Sequence, residues 1–500
     1  MTDDTSDNHA QSNILDQTSA GKVAISASMI RVGAYGTGLL LGLVCVPLLV
    51  RHLGQIGFGQ YFTVLSLVAI VSGLTEGGIS VLATRAYATR TGESRDWIMG
   101  NLFGLRLVLS AIGGIVAILF AVLVGYGHLL LIGTVVAVIG MLVQVVQAML
   151  IVPHQTDLRY GWVTAIDLAR QVVSVGLILL FIAIGAGVIP MLAVAIPAAL
   201  VSLVLTAFLV RGRDPLWPRF NIRLWGSLVR DAGLVGVSVA VNTIYFRVTL
   251  VVMSLIASQI QTGLFSIAFQ LVAVMAALPG LTILTVFPVL SRAAVNDAER
   301  LWSATKRIIE LAAIMGSCLM VGLFAGSDVI VRFLGGASAA DAAPVLQVLS
   351  ISVFALFVTF ACGATLLSLR LFRALVIVNV LSLALSIALA VILIPSLGAV
   401  GAAIAASAAE VVLAVLCMGV LERANPSRRL PWGVFLVLTV ICLVAIGIPR
   451  FLDLGGVMST VVSLVVFVVG VLVSGRFPPE VRHALDVRAL LGRDGSAARR

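Results

Sequence analysis

Long apolar runs alternating with short polar connections, most of them basic, organise this chain from about residue 30 to residue 474. A helix needs about 20 apolar residues to cross a hydrocarbon core about 30 Å thick, and each run approaches that length. The pattern predicts about fourteen spans, with edges good to a few residues. They cover 30–50, 60–82, 99–124, 129–152, 163–186, 189–210, 231–256, 264–288, 308–331, 345–368, 374–394, 399–421, 432–449 and 454–474. The expected fold is an all-α polytopic membrane protein.

The connections carry the orientation. Taking the N-terminus as cytoplasmic, the outer loops hold only Arg51, Arg332 and Arg450 of the 32 basic residues, and nearly all the rest lie on the inner side. Short loops biased in this way place both termini in the cytoplasm by the positive-inside rule. A bacterial-type inner membrane is the expected location, with the lipid bilayer as a partner. The longest inner connection, 211–230, is basic and divides the spans into sets of six. This gives an N-terminal tail (1–29), a six-helix bundle (30–210), the linker (211–230), a second bundle (231–421), two additional helices (432–474) and a basic tail (475–500). The tail segment VRHALDVRALL is either a helix lying on the inner leaflet or unstructured.

Within the spans lies an internal repeat. Displaced by 204 positions, Gln55, Ile56, Gly59, Leu67, Val68, Ala69 and Leu74 meet Gln259, Ile260, Gly263, Leu271, Val272, Ala273 and Leu278, identical at each place. Six spans separate the copies, so both run in the same direction. That predicts two halves related in parallel about an axis along the membrane normal, as in duplicated transporters.

Composition narrows the class further. The chain is 60% hydrophobic and 11% charged, against roughly 25% charged in soluble domains. The net charge of +10 is accounted for by inner loops and calls for no nucleic acid. Cys45, Cys318, Cys362, Cys417 and Cys442 all fall in apolar spans at no ligand-like spacing, so neither disulfides nor a metal site is expected. No phosphate-binding glycine loop or metalloprotease motif occurs, and the outer loops are too short to hold a glycan acceptor. An enzyme is not expected, nor is a cofactor.

Charges inside spans are the candidate site residues, because each costs about 2.5–3.5 kcal/mol at a helix centre on insertion scales. Arg247 lies deep in the seventh span with Asn242 and Tyr245 beside it, suited to a cavity role, to a structural pair or to outward snorkelling. Arg106 and Arg170 sit about two turns in from the inner side. Each either faces a cavity or snorkels, and Asp167 stands where it can pair with Arg170. Arg31 is nearer the inner interface and reads as an anchor. Glu76 and Glu410 are either protonatable coupling sites or partners for a buried arginine. Gln144, Gln147, Gln270 and Asn379 bond between helices or line a polar cavity. Pro47, Pro190, Pro197 and Pro279 predict bent helices.

Three stretches carry a family resemblance: RHLGQIGFGQYFTVLSLVAIVSGLTEGGIS, QTGLFSIAFQLVAVMAALPGLTILTVFPVLSR and SLGAVGAAIAASAAEVV. They resemble the polysaccharide-flippase branch of the multidrug/oligosaccharidyl-lipid/polysaccharide exporter superfamily. The resemblance implies two six-helix bundles around a central cleft and transport by alternating access. It implies a polyprenyl-pyrophosphate-linked oligosaccharide as cargo, handled beside glycosyltransferase or polymerase machinery. Arg31, Arg106, Arg170 and Arg247 are the implied counterparts of a cationic, pyrophosphate-binding cleft. Unlike much of that branch, this chain has no acid near Arg247. A lipid II flippase or a drug or cation antiporter of the same superfamily, and a non-transporting assembly factor, are the alternatives.

Overall fold

The computed structural model describes residues 18–156, 160–211, 217–426 and 428–475. The proposed surface helix of the tail lies outside them, as does the side chain of Arg31. All regular structure among the described residues is helical. Among the described residues, twelve helical stretches are long and apolar enough to cross a membrane, and the chain is a multi-pass membrane protein.

Two of these stretches each hold two helices that meet at a kink with no loop between them, where two of the outer loops were expected. The first kink is in Thr18–Glu76, at Gly54 (φ 67°, ψ −178°), and the second is in Phe372–Ala424, at Gly398 (φ 55°, ψ −131°). Both glycines open the same sequence pattern, Leu-Gly-x-x-Gly, at Leu53–Gly57 and Leu397–Gly401. A side chain at these φ values is strained, so glycine lets the chain turn without a loop.

Proline makes the other breaks. Pro197 has no N–H to offer Ala193, and Pro279 has none for Met275. The helices Val188–Ala193 and Gln259–Met275 end at those two residues, and Ala195–Val210 and Ala277–Asn296 continue beyond them.

The chain forms two compact units. One comprises Met1–Leu49 and Leu67–Ala240, the other Val50–Ser66 and Val241–Arg500. The first is built on the helices Gly92–Leu123, His128–Leu150, Tyr160–Ala183 and Ala195–Val210. Its core includes Met99, Leu102, Met149 and Val152, with Leu228 from the last part of the basic connection. The end of that connection is fixed in place. Arg219 N donates to Gly100 O at 2.8 Å, and Asn221 N donates to the buried Asn101 Oδ1 at 3.1 Å. Helix resumes at Ile222 and bends at Gly233 before the next span.

In the second unit, Ala343–Ser368 packs on Phe372–Ala424 through a run of small residues. Ala402, Ala403, Ala405 and Ala409 are fully buried there. Lipid supplies little hydrophobic drive between helices, so close approach of small residues contributes much of the packing. Val50–Ser66 docks on the same unit. Arg51 Nη2 donates to Phe333 O at 2.7 Å, Gln55 Nε2 donates to Ser338 O, and Gln60 Nε2 donates to Gln259 Oε1 at 3.2 Å.

Candidate functional site

Two polar sites stand out, one in each unit. In the first, the helix carrying Glu76 stops at Gly77 and Gly78, both at positive φ, and Ile79–Thr89 begins at once. This break brings Glu76 and Ser80 to bear on Arg106 of the helix Gly92–Leu123. Arg106 Nη1 donates to Ser80 Oγ at 2.7 Å, and Nη2 lies 3.7 Å from Glu76 Oε2. Met149 Sδ is 3.8 Å from Nη1. The Arg106 side chain is 7% exposed and that of Glu76 40%, so the acid reaches open space while the guanidinium stays covered. Arg106 Nε is buried and has no hydrogen-bond partner.

These residues form part of the wall of a cavity of about 380 Å³. Ser72, Gln144, Gln147, Gln155 and Asp167 add to its polar lining, and Met141, Val145 and Val163 to its apolar lining. Gln147 Nε2 also donates to Thr206 Oγ1 at 3.3 Å. The structure thus brings together Arg106, Glu76, Gln144 and Gln147 from the sequence candidates. Ser72, Ser80, Gln155 and Asp167 join them from outside that set. Arg170 is half-buried on the helix Tyr160–Ala183 and is not in this lining.

The second site is a polar seam. Asn242, Tyr245 and Thr249 recur at helical spacing on Ile222–Ile256, so they share one face. Tyr245 Oη donates to Glu410 Oε2 at 2.7 Å, Asn242 Nδ2 to Asn379 Oδ1 at 3.4 Å, and Thr249 and Ser386 hydroxyls lie 3.1 Å apart. Glu410 and Asn379 are 7% and 6% exposed. A cavity of about 30 Å³ beside Glu410 is lined by Tyr245, Thr249, Ser352 and Ser386, room for a water or two. Sequence reading named four of these residues and missed Ser352, Thr249 and Ser386; for the last two, the seven-residue spacing from Asn242 and Asn379 was the available signal.

Arg247 lies off that seam, half-buried between rings. Its Cζ is 5.8 Å from the Phe62 centroid and 5.6 Å from that of Phe246, within cation–π range. Among the described residues, no carboxylate forms an ion pair with it. Gln270 is half-buried on Gln259–Met275 and lines neither cavity.

Residues 27–294 match the profile of a family described as polysaccharide biosynthesis protein. Among solved structures, a lipid II flippase, MurJ, in an inward closed conformation is similar at a TM-score of 0.73 and 15% identity. The match covers 89% of this chain and 98% of that one. An inward-facing multidrug resistance MATE family transporter gives a TM-score of 0.65 at 16% identity, over 81% and 98%. A transporter of the same superfamily from Pyrococcus furiosus, described by the reverse polarity of its binding pocket, gives 0.57 at 17% identity, over 81% and 96%. No curated protein sequence matches significantly.

Proposed function

The chain belongs to the polysaccharide biosynthesis protein family, and from that premise we propose a flippase for a polyprenyl-pyrophosphate-linked oligosaccharide. It works in the inner membrane with both termini cytoplasmic, consistent with the basic inner loops, and hands its cargo to glycan-assembling enzymes. The observation that carries this reading is Arg247. A guanidinium held among aromatic rings inside a span, with no acid paired to it among the described residues, supports a role in binding an anion. Pyrophosphate matches it in charge and in the planar, two-pronged geometry of its donors.

Arg106, Arg170 and Arg31 are further candidates for the same anion, and the polar wall around Gln144 and Gln147 suits the sugars. Coupling falls to Glu410, a carboxyl held by Tyr245 next to space for water. Deleting the gene from its host tests the reading. The linked glycan should accumulate on the cytoplasmic face, and restoring wild-type protein, but not the Arg247→Ala variant, should clear it. Unchanged export in the deletion strain excludes this role.

A further inference from the structure

The basic connection carries a surface of its own. From Pro215 to Arg230 the sequence holds Arg219, Arg223 and Arg230 and no acid, with Trp217, Phe220, Ile222, Trp225 and Val229 among them. The first unit fixes its place. Arg219 N donates to Gly100 O and Asn221 N to Asn101 Oδ1. The stem of Arg219 lies against Gly100, where a Cβ would come within 2.9 Å of its Cγ. Held there, Trp217, Phe220 and Ile222 are 72%, 61% and 77% exposed. The Phe220 and Trp225 rings meet edge to face with centroids 6.3 Å apart. Large apolar side chains fixed in the open mark a surface that a partner or a membrane covers.

The helix that starts at Ile222 sorts its residues by face. Leu228 is buried in the core of the unit, with Leu224 and Trp225 packed beside it. At about 3.6 residues per turn, Ile222 and Val229 share a second strip, and Arg223 and Arg230 share a third about 100° further round. All four are exposed. Among the described residues, no carboxylate forms an ion pair with Arg219, Arg223 or Arg230. Glu93 and Asp96 stand before Gly100 on the supporting helix, and Asp96 is paired with Arg95 at 3.0 Å. The helix bends at Gly233, and the apolar span begins at Gly236. An element with apolar and basic strips side by side, ending just short of a span, suits the surface of a bilayer.

We propose that residues 217–230 bind anionic phospholipid in the leaflet at that end of the spans, the inner one in the orientation proposed above. Trp217, Phe220, Ile222 and Val229 enter the boundary between headgroups and acyl chains, the level at which aromatic side chains settle. Arg219, Arg223 and Arg230 take the headgroup phosphates, extending their charges outward from apolar stems. A net-negative headgroup is favoured over a zwitterionic one, which brings a cation to the same arginines. The site is independent of the cargo and of Arg247, so its failure and that of the flippase reading are separate results.

Full-length protein in nanodiscs tests the proposal, with Trp217 as the reporter. The discs hold phosphatidylcholine and phosphatidylglycerol in equal amounts, and one or the other is brominated near the top of its acyl chains. The difference in fluorescence between wild type and Trp217→Phe isolates the signal of Trp217. Brominated phosphatidylglycerol should quench that signal at least about twofold more than brominated phosphatidylcholine, and the preference should fade in high salt. Arg219→Gln, Arg223→Gln and Arg230→Gln combined should bring the two lipids level. The three arginines are exposed, and the salt series reads the same attraction in the unaltered chain. A Trp217 signal that neither lipid quenches overturns the proposal. So does equal quenching by the two lipids in wild type, or a preference that survives the triple substitution or high salt.

Discussion

Gly59 and Gly263, which the internal repeat aligns, meet backbone to backbone in the second unit. A Cβ on Gly59 would lie 2.9 Å from both Cα and N of Gly263. A Cβ on Gly263 would run into the carbonyl oxygen of Gln55. The two copies of the repeat are therefore in contact at equivalent residues, and only glycine permits the approach.

Substitution at this contact should loosen the docking of Val50–Ser66. The obstacle to a methyl is backbone, which gives way less readily than a side-chain tip, and overpacking of this kind costs about 1–3 kcal/mol. Gly263→Ala should lower the thermal midpoint of the purified protein by several degrees. Gly280→Ala, where a Cβ meets open space, should leave it within experimental scatter. Equal midpoints for the two variants would rule out this packing account.

Removing the Tyr245 hydroxyl leaves a buried carboxyl without its donor. Loss of one partner of a buried polar pair costs about 1–3 kcal/mol, so Tyr245→Phe should be less stable than wild type. Glu410→Gln retains an oxygen that Tyr245 Oη can donate to, and it should fold nearly as well. If Glu410 couples transport to protons, that same variant should also lose the pH dependence of transport. Full pH dependence in a well-folded Glu410→Gln protein would remove Glu410 from the coupling step.

The Arg106–Glu76 pair makes a prediction against intuition. Its separation is 3.7 Å and its acid is 40% exposed, so solvent screens the attraction while Arg106 bears its burial cost in full. Arg106→Met, which fills similar space without charge, should therefore be as stable as wild type to within about 1 kcal/mol. Glu76→Gln should be the less stable of the two, since it leaves the covered cation less well balanced. Thermal unfolding of both variants checks the order.

The end of the basic connection rests on Gly100, Asn101 and Gly104. A Cβ on Gly104 would collide with the carbonyl oxygen of Arg219, and Asn101 accepts from Asn221 N at 3.1 Å. Gly104→Ala and Asn101→Ala should release residues 217–221. Limited proteolysis should then cut there faster than in wild type, while wild-type protein resists.

The helical class and most span positions were legible because insertion into lipid demands long apolar runs whatever the neighbours are. The repeat was legible as well, since Gly59 and Gly263 are identical and so is the surrounding Gln-Ile-x-x-Gly. The bends at Gly54 and Gly398 were not. Sequence shows a glycine between apolar runs, and whether it opens a loop or joins two helices directly at a kink depends on contacts such as Ala399 N donating to Gln261 Oε1 at 2.8 Å. Depth along a helix singled out Arg106, Glu76 and Arg247 as residues needing a partner, but it could not choose the partners. Glu76 meets Arg106 because two positive-φ glycines re-aim the chain after it, and among the described residues Arg247 meets rings and no acid. Asp167 read as the local partner of Arg170 by spacing, and its place in the cavity wall depends on how separate helices pack.

The central claim is that Arg247 holds the pyrophosphate of the cargo. Vesicles reconstituted with the protein and a labelled polyprenyl-pyrophosphate disaccharide test it directly, with translocation read by access of an external glycan-modifying enzyme. A hydrogen bond to a charged group contributes about 1.5–3 kcal/mol, so Arg247→Ala should slow translocation by roughly tenfold to a hundredfold, with Arg247→Lys in between. Translocation by folded Arg247→Ala protein at the wild-type rate would contradict the account.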